Sequence, residues 1–182
     1  DAGYSTTFMT TNPTTGSSMG FSRGADHFYE LWEERRRFLK NNPDAGLLAK
    51  YVWKKVIKPV LPENNSGQPF FIYLHEPDPH GPYTPVPPYD TQYEFGYHGN
   101  LSSKVETLKL FNNQISDLEP TDIRFLESLY NGEISFSDAY LKEILRQLGS
   151  HQLREDTLII VVSDHGEEFL DHGKLGHGVS LF

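Results

Sequence analysis

The chain has 182 residues, of which 37% are hydrophobic and 13% aromatic, and this suffices for one domain with a packed core or for part of a larger one. The net charge of −9 argues against a general nucleic-acid-binding protein, which normally carries a basic face. No apolar run approaches the roughly 20 residues that a transmembrane helix needs. The absence of cysteine excludes disulfides, thiolate metal ligands and a cysteine nucleophile from these residues. The sequence does not indicate the cellular compartment.

The first third of the chain predicts a strand, a loop and two helices. A strand is expected over Ser5–Thr11, and residues 12–24, which are rich in Thr, Ser, Gly and Pro, predict a loop. Helices are expected over His27–Asn41 and Ala45–Lys58, and the second ends where a proline follows. A polar turn is expected over residues 61–68.

The remaining sequence predicts a strand–helix–strand unit. Pro69–His75 is a candidate for a buried strand, and residues 157–163 form a second, unbroken apolar run. Between them, apolar residues at helical spacing predict a helix over Pro120–Leu148, with Gly149 as its stop. Gly132 is expected to bend or split this long helix.

These elements indicate the fold class. A strand that is apolar on every residue is usually covered on both faces, as in a parallel sheet with helices on either side. The crossover in such a unit is right-handed in nearly all cases, so both strands end at the same edge of the sheet. We therefore expect an α/β fold with a mixed, mainly parallel sheet flanked by helices, and an irregular segment over residues 89–113.

The pair Asp164 and His165, directly after the second predicted strand, is the strongest candidate for chemistry. Ligands of open α/β sheets bind beyond the carboxyl ends of the strands. A carboxylate beside an imidazole suits a divalent metal ion, and because two ligands are too few for zinc or calcium, further ligands must come from elsewhere. The alternative is a turn in which Asp164 caps the next backbone amides.

Other candidates follow the same two strands. His80 lies in a proline-rich loop, which would hold its imidazole in place for a substrate anion, although packing against a tyrosine is the alternative. His177 lies between two glycines that permit close backbone approach, and Lys174 competes for a similar role. Glu167 and Glu168 either orient an imidazole or favour the start of a helix, and we prefer the second interpretation.

Five motifs, in this order and spacing, resemble the sulfatase family, which belongs to the alkaline-phosphatase-like superfamily of metal-dependent hydrolases. The resemblance covers most of the chain and is weakest over residues 89–113. The motifs are Ala2–Thr6 with Gly20–Tyr29, Phe70–His75 with Asp78–Tyr83, Leu129–Ile134, Thr157–Gly166, and Gly176–Gly178.

The resemblance implies roles for particular residues. Asp164 and His165 match the later pair of metal ligands of the family, which binds Ca²⁺, with Mg²⁺, Mn²⁺ or Zn²⁺ as alternatives. His80 matches the histidine that contacts the sulfate group. His177 stands near the basic residue that also holds the sulfate or helps the leaving oxygen to depart, so both histidines are expected to be catalytic.

Two features of the family have no match in this sequence. Sulfatases use a formylglycine formed within a Cys/Ser-x-Pro-x-Arg motif, and an N-terminal pair of aspartates completes the metal site. We therefore expect residues 1–182 to be the middle part of a sulfatase catalytic domain, without the nucleophile region and the C-terminal subdomain.

The expected function of the parent protein is metal-dependent hydrolysis of sulfate esters, on a small molecule or a glycan, with this fragment inactive by itself. No nucleic acid and no membrane span are expected for this chain. One alternative is a phosphatase, phosphodiesterase or phosphoglycerol transferase of the same superfamily. Another is a non-catalytic binding domain that retains the fold.

Overall fold

The computed structural model describes residues 2–61, 68–99, 101 and 118–178. The described residues fall into two structural units. The first unit comprises the chain up to Pro77 together with Ala139–Gln152, and the second comprises Asp78–Asp138 together with the residues from Leu153 onward.

The first unit contains a three-stranded parallel sheet. Its central strand, β1 (Ser5–Thr10), pairs with β2 (His27–Glu30) on one side and with β3 (Phe70–His75) on the other. The strands predicted over Ser5–Thr11 and Pro69–His75 are thus confirmed. The expected burial of the second is wrong, because Phe71 and Tyr73 of β3 are 50% and 47% exposed. The parallel pairing, together with the helices described below, confirms the expected α/β fold with a mainly parallel sheet.

The strand β2 was expected to be the beginning of a helix, and that prediction is wrong. Two backbone hydrogen bonds extend the ladder at either end of β2: the N–H of Asp26 donates to Thr6 O at 3.0 Å, and that of Leu31 donates to Thr10 O at 2.9 Å. Aromatic residues within β2 also suit a pleated, half-buried surface. The helix α1 therefore begins only at Trp32 and spans Trp32–Asn41.

The second predicted helix is confirmed, although its last part is irregular. Helix α2 spans Ala45–Val52, and the Asp44 carboxylate caps it by accepting the Leu47 N–H at 2.7 Å. The chain then continues through a wider π-helical turn at Trp53–Ile57 and a 3-10 turn at Lys58–Val60.

The long helix α3 spans Pro120–Ser150 without interruption, which confirms the predicted helix. The expected break at Gly132 is absent, and the helix continues through Gly149, its expected stop, to Ser150. Its buried positions recur every three or four residues, as expected for one apolar face of a helix. No helix in the described part of the chain is long and apolar enough to cross a membrane. The buried apolar residues of α3 are Ile123, Leu126, Leu129 and Phe136 in the second unit and Tyr140, Ile144 and Leu148 in the first.

The strand predicted over residues 157–163 is absent from the structure. Within the described residues, this run pairs with no other strand, so its side chains remain in solvent. Leu158 is 86% exposed and Val162 is 80% exposed. The predicted strand–helix–strand unit is therefore not completed in this chain.

Two further predictions fall partly outside the described residues. Of the turn expected over residues 61–68, residues 62–67 are not described. In the segment expected to be irregular, residues 89–99 form turns without helix or strand, as predicted, whereas 100 and 102–113 are not described.

Candidate active site

A short β-hairpin in the second unit follows the exposed apolar run in the chain and carries several of the candidate residues. Strand β4 (Glu168–Phe169) pairs antiparallel with β5 (Leu175–Gly176), with Glu168 opposite Gly176. One step further along this register, Glu167 faces His177. The hairpin is anchored to α3 through a cluster in which Leu175 packs with Ile123 and Leu126.

The turn of the hairpin is held by a buried carboxylate. Glu168 is 4% exposed, and its Oε1 accepts the backbone N–H of His172 at 2.8 Å and that of Lys174 at 3.2 Å. Glu168 lies in a strand, and Glu167 precedes it outside any helix, so the preferred interpretation of this pair as a helix start is wrong. Lys174, the competitor of His177, has an exposed side chain.

Glu167 connects two ring systems. One carboxylate oxygen accepts a hydrogen bond from the Tyr83 hydroxyl, and the other contacts Nδ1 of His177. Burial raises the pKa of the Tyr83 hydroxyl well above its ordinary value, and the hydrogen bond to Glu167 raises this pKa further. The hydroxyl therefore keeps its proton and donates a hydrogen bond to Glu167. Because a carboxylate has only acceptor oxygens, Nδ1 of His177 is also a donor.

Two more histidine rings lie beside His177. The ring centroid of His165 is 3.9 Å from that of His177, and the ring centroid of His80 is 5.2 Å from it. The structure therefore brings together three of the four residues that the sequence singled out. The fourth, Asp164, has an 85% exposed side chain, and its Oδ1 lies 3.7 Å from Nε2 of His165.

The three histidines share one hydrogen-bonding pattern. Nδ1 of His80 lies 2.7 Å from the carbonyl oxygen of Gly81, and Nδ1 of His165 lies 2.9 Å from that of Gly166. A carbonyl oxygen only accepts, so each Nδ1 carries a proton, as it does in His177. In the neutral ring of each histidine, Nε2 then keeps its lone pair for a ligand or a proton.

The loop that carries His80 is fastened to helix α3. Glu133 is 4% exposed, and its carboxylate accepts the backbone N–H of His80 at 3.1 Å and that of Thr84 at 2.6 Å. His80 itself is exposed. The loop is thus fixed through its backbone, while the imidazole remains accessible to a ligand.

Known proteins resemble this chain over most of its length. The family model described as Sulfatase matches residues 1–179. The chain belongs to the sulfatase family. This assignment confirms the resemblance carried by the motifs.

Two curated proteins are similar to this sulfatase-family chain. The multifunctional alkaline phosphatase superfamily protein PehA of Trinickia caryophylli is 27% identical over 145 residues, which cover 66% of this chain and 28% of that protein. The low-salt glycan biosynthesis sulfotransferase Agl7 of Haloferax volcanii is 32% identical over 108 residues, which cover 59% of this chain and 22% of that protein. The matched region thus spans about a quarter of the length of these relatives.

Members of the sulfatase family generally depend on a metal ion, and two overlapping groups of side chains here suit one. In the first group, Oδ1 of Asp164 lies 3.7 Å from Nε2 of His165. Two ligand atoms that each lie about 2.0–2.5 Å from the same ion are roughly 3–4 Å from each other, so this spacing fits one ion. In the second group, the ligand atoms of His165, Glu167 and His177 all lie within 4.8 Å of one another. We favour the first group, because Tyr83 and His177 engage both oxygens of Glu167, whereas the Asp164 carboxylate accepts the backbone N–H of His165 through Oδ1 at 3.1 Å.

Three residues of the site were not identified correctly from the sequence: Tyr83, Glu133 and Glu167. Glu167 was considered as a partner of an imidazole, but nothing in its spacing indicated which one. Tyr83 appeared only within a family motif. Glu133 lies at a buried position of a helix, and a buried acidic residue without an obvious partner is the one signal that could have indicated its role.

Proposed function

We propose that the protein containing this chain hydrolyses sulfate esters with the help of a bound divalent cation. The observation that carries the proposal is the convergence of His80, His165 and His177 in a chain of the sulfatase family. The Nδ1 atoms of the three imidazoles are engaged within the protein, which leaves their Nε2 atoms for a sulfate group, a cation and a leaving oxygen.

Each histidine takes a separate role in this proposal. His80, exposed on a fixed loop, contacts an oxygen of the sulfate group. His165 and Asp164 hold the cation, which when bound would compensate the negative charge on the sulfate oxygens. His177 serves at the leaving oxygen.

The donor set bears on the identity of the cation. Calcium, implied by the family resemblance, prefers oxygen ligands, whereas an imidazole suits zinc and other borderline metals. A site that includes His165 therefore favours Zn²⁺, with Ca²⁺, Mg²⁺ and Mn²⁺ as alternatives. Metal analysis of the purified full-length protein, followed by chelation and restoration with each ion, distinguishes these possibilities.

We also propose that the catalytic domain extends beyond these 182 residues. The exposed apolar run Leu158–Val162 supports this, because a contiguous apolar stretch in solvent normally marks a surface that another element covers. The nucleophile and the remaining metal ligands would belong to that further part. The 182-residue chain alone should then show no arylsulfate hydrolysis, and measurable turnover would contradict this proposal.

The test of the function uses the full-length protein with 4-nitrophenyl sulfate, 4-nitrophenyl phosphate and bis(4-nitrophenyl) phosphate. We expect the sulfate ester to be the preferred substrate of the three and His80→Ala to lower its kcat/KM by about 100-fold or more. His177→Ala should cause a loss of that size on an alkyl sulfate, because an alkoxide leaving group needs a proton whereas a nitrophenolate does not. His172→Ala is the matched control, because it alters an exposed histidine of the same hairpin and keeps the backbone N–H that Glu168 accepts. It should retain the activity of the natural protein.

A second candidate function is supported by one observation. The similar protein PehA is named as a multifunctional member of the alkaline phosphatase superfamily. If bis(4-nitrophenyl) phosphate or the phosphate monoester is hydrolysed faster than the sulfate ester, the chain belongs to a phosphoesterase. If none of the three esters is hydrolysed, the fold serves a binding role instead.

A further inference from the structure

Positive charge is concentrated in one short part of the chain. Residues 32–58 contain eight of the 16 Lys and Arg residues and three of the 25 Asp and Glu residues, so this segment has a net charge of +5. The rest of the chain contains eight basic and 22 acidic residues, which give a net charge of −14. Such an asymmetry within an acidic chain indicates a surface that attracts an anionic partner.

The segment forms two neighbouring helical elements of the first unit. One is α1, and the other is α2 with the π-helical and 3-10 turns that continue it to Val60. Glu34 of α1 pairs with Lys55 of the second element. One turn further along α1, the ring centroid of Phe38 lies 5.4 Å from that of Tyr51, which precedes Lys55 by one turn. The two elements therefore run antiparallel and side by side.

Six basic side chains lie on the exposed side of this helix pair. Three of them fall within about one turn of α1, and in the second element a lysine recurs at every fourth position, so each set shares one helix face. The row of lysines is roughly 12 Å long. We name these six residues the basic surface: Arg36, Arg37, Lys40, Lys50, Lys54 and Lys58.

The acidic residues of the same segment compensate little of this charge. Glu33 pairs with Arg36 at 2.8 Å, and the carboxylate of Asp44 is the cap of α2. Glu34 pairs with Lys55, which lies outside the basic surface. Within the described part of the chain, four members of the basic surface form no ion pair: Arg37, Lys40, Lys54 and Lys58.

The surroundings of the basic surface favour a flexible anionic chain over a broad anionic surface. A helix that binds a membrane normally adds exposed apolar anchors, but Trp53 is 4% exposed, Trp32 is half-buried, and Leu47 is the one exposed large apolar residue of this segment. A membrane or a DNA duplex would also repel the strongly acidic remainder of the protein. A single polymer chain can follow a narrow row of cations and avoid that repulsion.

We propose that the basic surface binds a sulfated polysaccharide, on which the parent protein acts. The choice of sulfate as the anionic group rests on the function proposed above, whereas the affinity for a polyanion rests on the charges of the basic surface. A lysine ammonium binds such a group as a point charge and needs no fixed geometry. Each contact releases a counterion from the polymer, so the binding has to weaken as salt is added.

The first test measures binding and is independent of catalysis. The full-length protein is titrated with dextran sulfate as the probe and with uncharged dextran as the comparison. Four to six contacts predict that the affinity for dextran sulfate falls roughly 50- to 300-fold between about 50 and 200 mM NaCl. At the lower salt concentration, Lys54→Gln/Lys58→Gln should weaken binding about 10- to 30-fold.

The matched control is Arg124→Gln/Arg154→Gln, which removes two exposed cations of the second unit and should bind dextran sulfate like the natural protein. Circular dichroism checks that both double variants are folded. If the natural protein does not bind dextran sulfate, or if the two double variants lose the same affinity, the proposal is overturned.

The second test separates the polysaccharide from other anionic partners. Vesicles with about 30% phosphatidylserine and a DNA duplex should both bind more weakly than dextran sulfate at the same salt concentration. Tighter binding of either probe, or a change of oligomeric state in Lys54→Gln/Lys58→Gln, would refute a polysaccharide as the partner.

The third test connects the basic surface to hydrolysis. In Lys54→Gln/Lys58→Gln, the KM for release of sulfate from a sulfated polysaccharide should rise about 10-fold, while the KM for 4-nitrophenyl sulfate stays the same. Equal changes for both substrates would contradict the proposal. If the natural protein binds dextran sulfate through this surface but hydrolyses no sulfate ester, the function proposed above fails while the binding surface is confirmed.

Discussion

The substitution Gly132→Ala distinguishes two opposing effects on the same helix. Alanine favours a helix interior over glycine by about 0.5–1 kcal/mol, so propensity alone predicts stabilisation. At this position, however, a Cβ would lie 2.5 Å from the carbonyl oxygen of Tyr89 and 3.0 Å from Cβ of Pro85. The carbonyl belongs to the backbone, so the loop or the helix has to move by several tenths of an ångström.

Such overpacking costs about 1–3 kcal/mol, so the net effect of Gly132→Ala should be a loss of about 1–2 kcal/mol in the free energy of unfolding. Gly149→Ala is the matched control on the same helix, because no atom lies within 4 Å of its added Cβ. It should stabilise by up to about 1 kcal/mol. Urea unfolding monitored by circular dichroism measures both variants. If Gly132→Ala is as stable as Gly149→Ala, the close approach of the loop to α3 is refuted.

Three further predictions concern single carboxylates. Glu133→Ala should lower the free energy of unfolding by at least about 2 kcal/mol, because it removes a charged acceptor from two backbone donors of the His80 loop, as measured by urea unfolding. Asp44→Ala should cost about 1 kcal/mol in the same assay through the loss of a helix cap. The hydrogen bond from Arg146 lowers the pKa of Glu143 from 4.5 to about 2. The pair therefore stabilises the fold fully above pH 4.5, and this stabilisation is lost as the pH falls toward 2. Glu143→Gln should flatten the dependence of the unfolding midpoint on pH in that range.

Each of these predictions has a control or a refuting result. Asp138→Ala changes an exposed acidic residue of the same helix as Glu133 and should leave stability within about 0.5 kcal/mol of the natural chain. A loss in Glu133→Ala no larger than this would contradict the anchoring of the loop. An Asp44→Ala variant as stable as the natural chain would exclude the cap as a source of stability. An unchanged pH dependence in Glu143→Gln would show that Arg146 has no such effect.

The parts of the fold that local patterns decide were predictable. The strand over Phe70–His75 and the helix over Pro120–Ser150 follow from apolar runs and helical spacing. The strand over His27–Glu30 was not predictable in this way, because it exists only where β1 offers an edge for pairing. The apolar run after Thr157 shows the converse: its sequence suits a buried strand, but a strand forms only when a neighbouring strand accepts its backbone hydrogen bonds.

The same distinction applies to the candidate site. The sequence predicted a shared site for His80 and His165 because both follow predicted strands, and each ring does lie close to His177. The strand that was to carry His165 is absent, however, so the strand-end principle predicted the neighbours without explaining how the structure brings them together. The partner of His177 could not be read from spacing, since it depends on the register of a two-residue hairpin. A shift of one residue in that register would turn Glu167 away from His177 and bring the neighbouring Glu168 toward it.

Adjacent residues of α3 explain how an exposed histidine can be held precisely. Gly132 lets the segment after Tyr83 approach the helix axis more closely than any side chain would allow, and Glu133 then binds the backbone amides at both ends of the His80 turn. Gly132 supplies space and Glu133 supplies the acceptor oxygens, so the loop is fixed to the helix without using Nε2 of His80. This leaves the imidazole available to a ligand, whereas His177 is fixed through its own ring by Glu167. In the function proposed above, this difference would let His80 contact the substrate while His177 acts at the leaving oxygen.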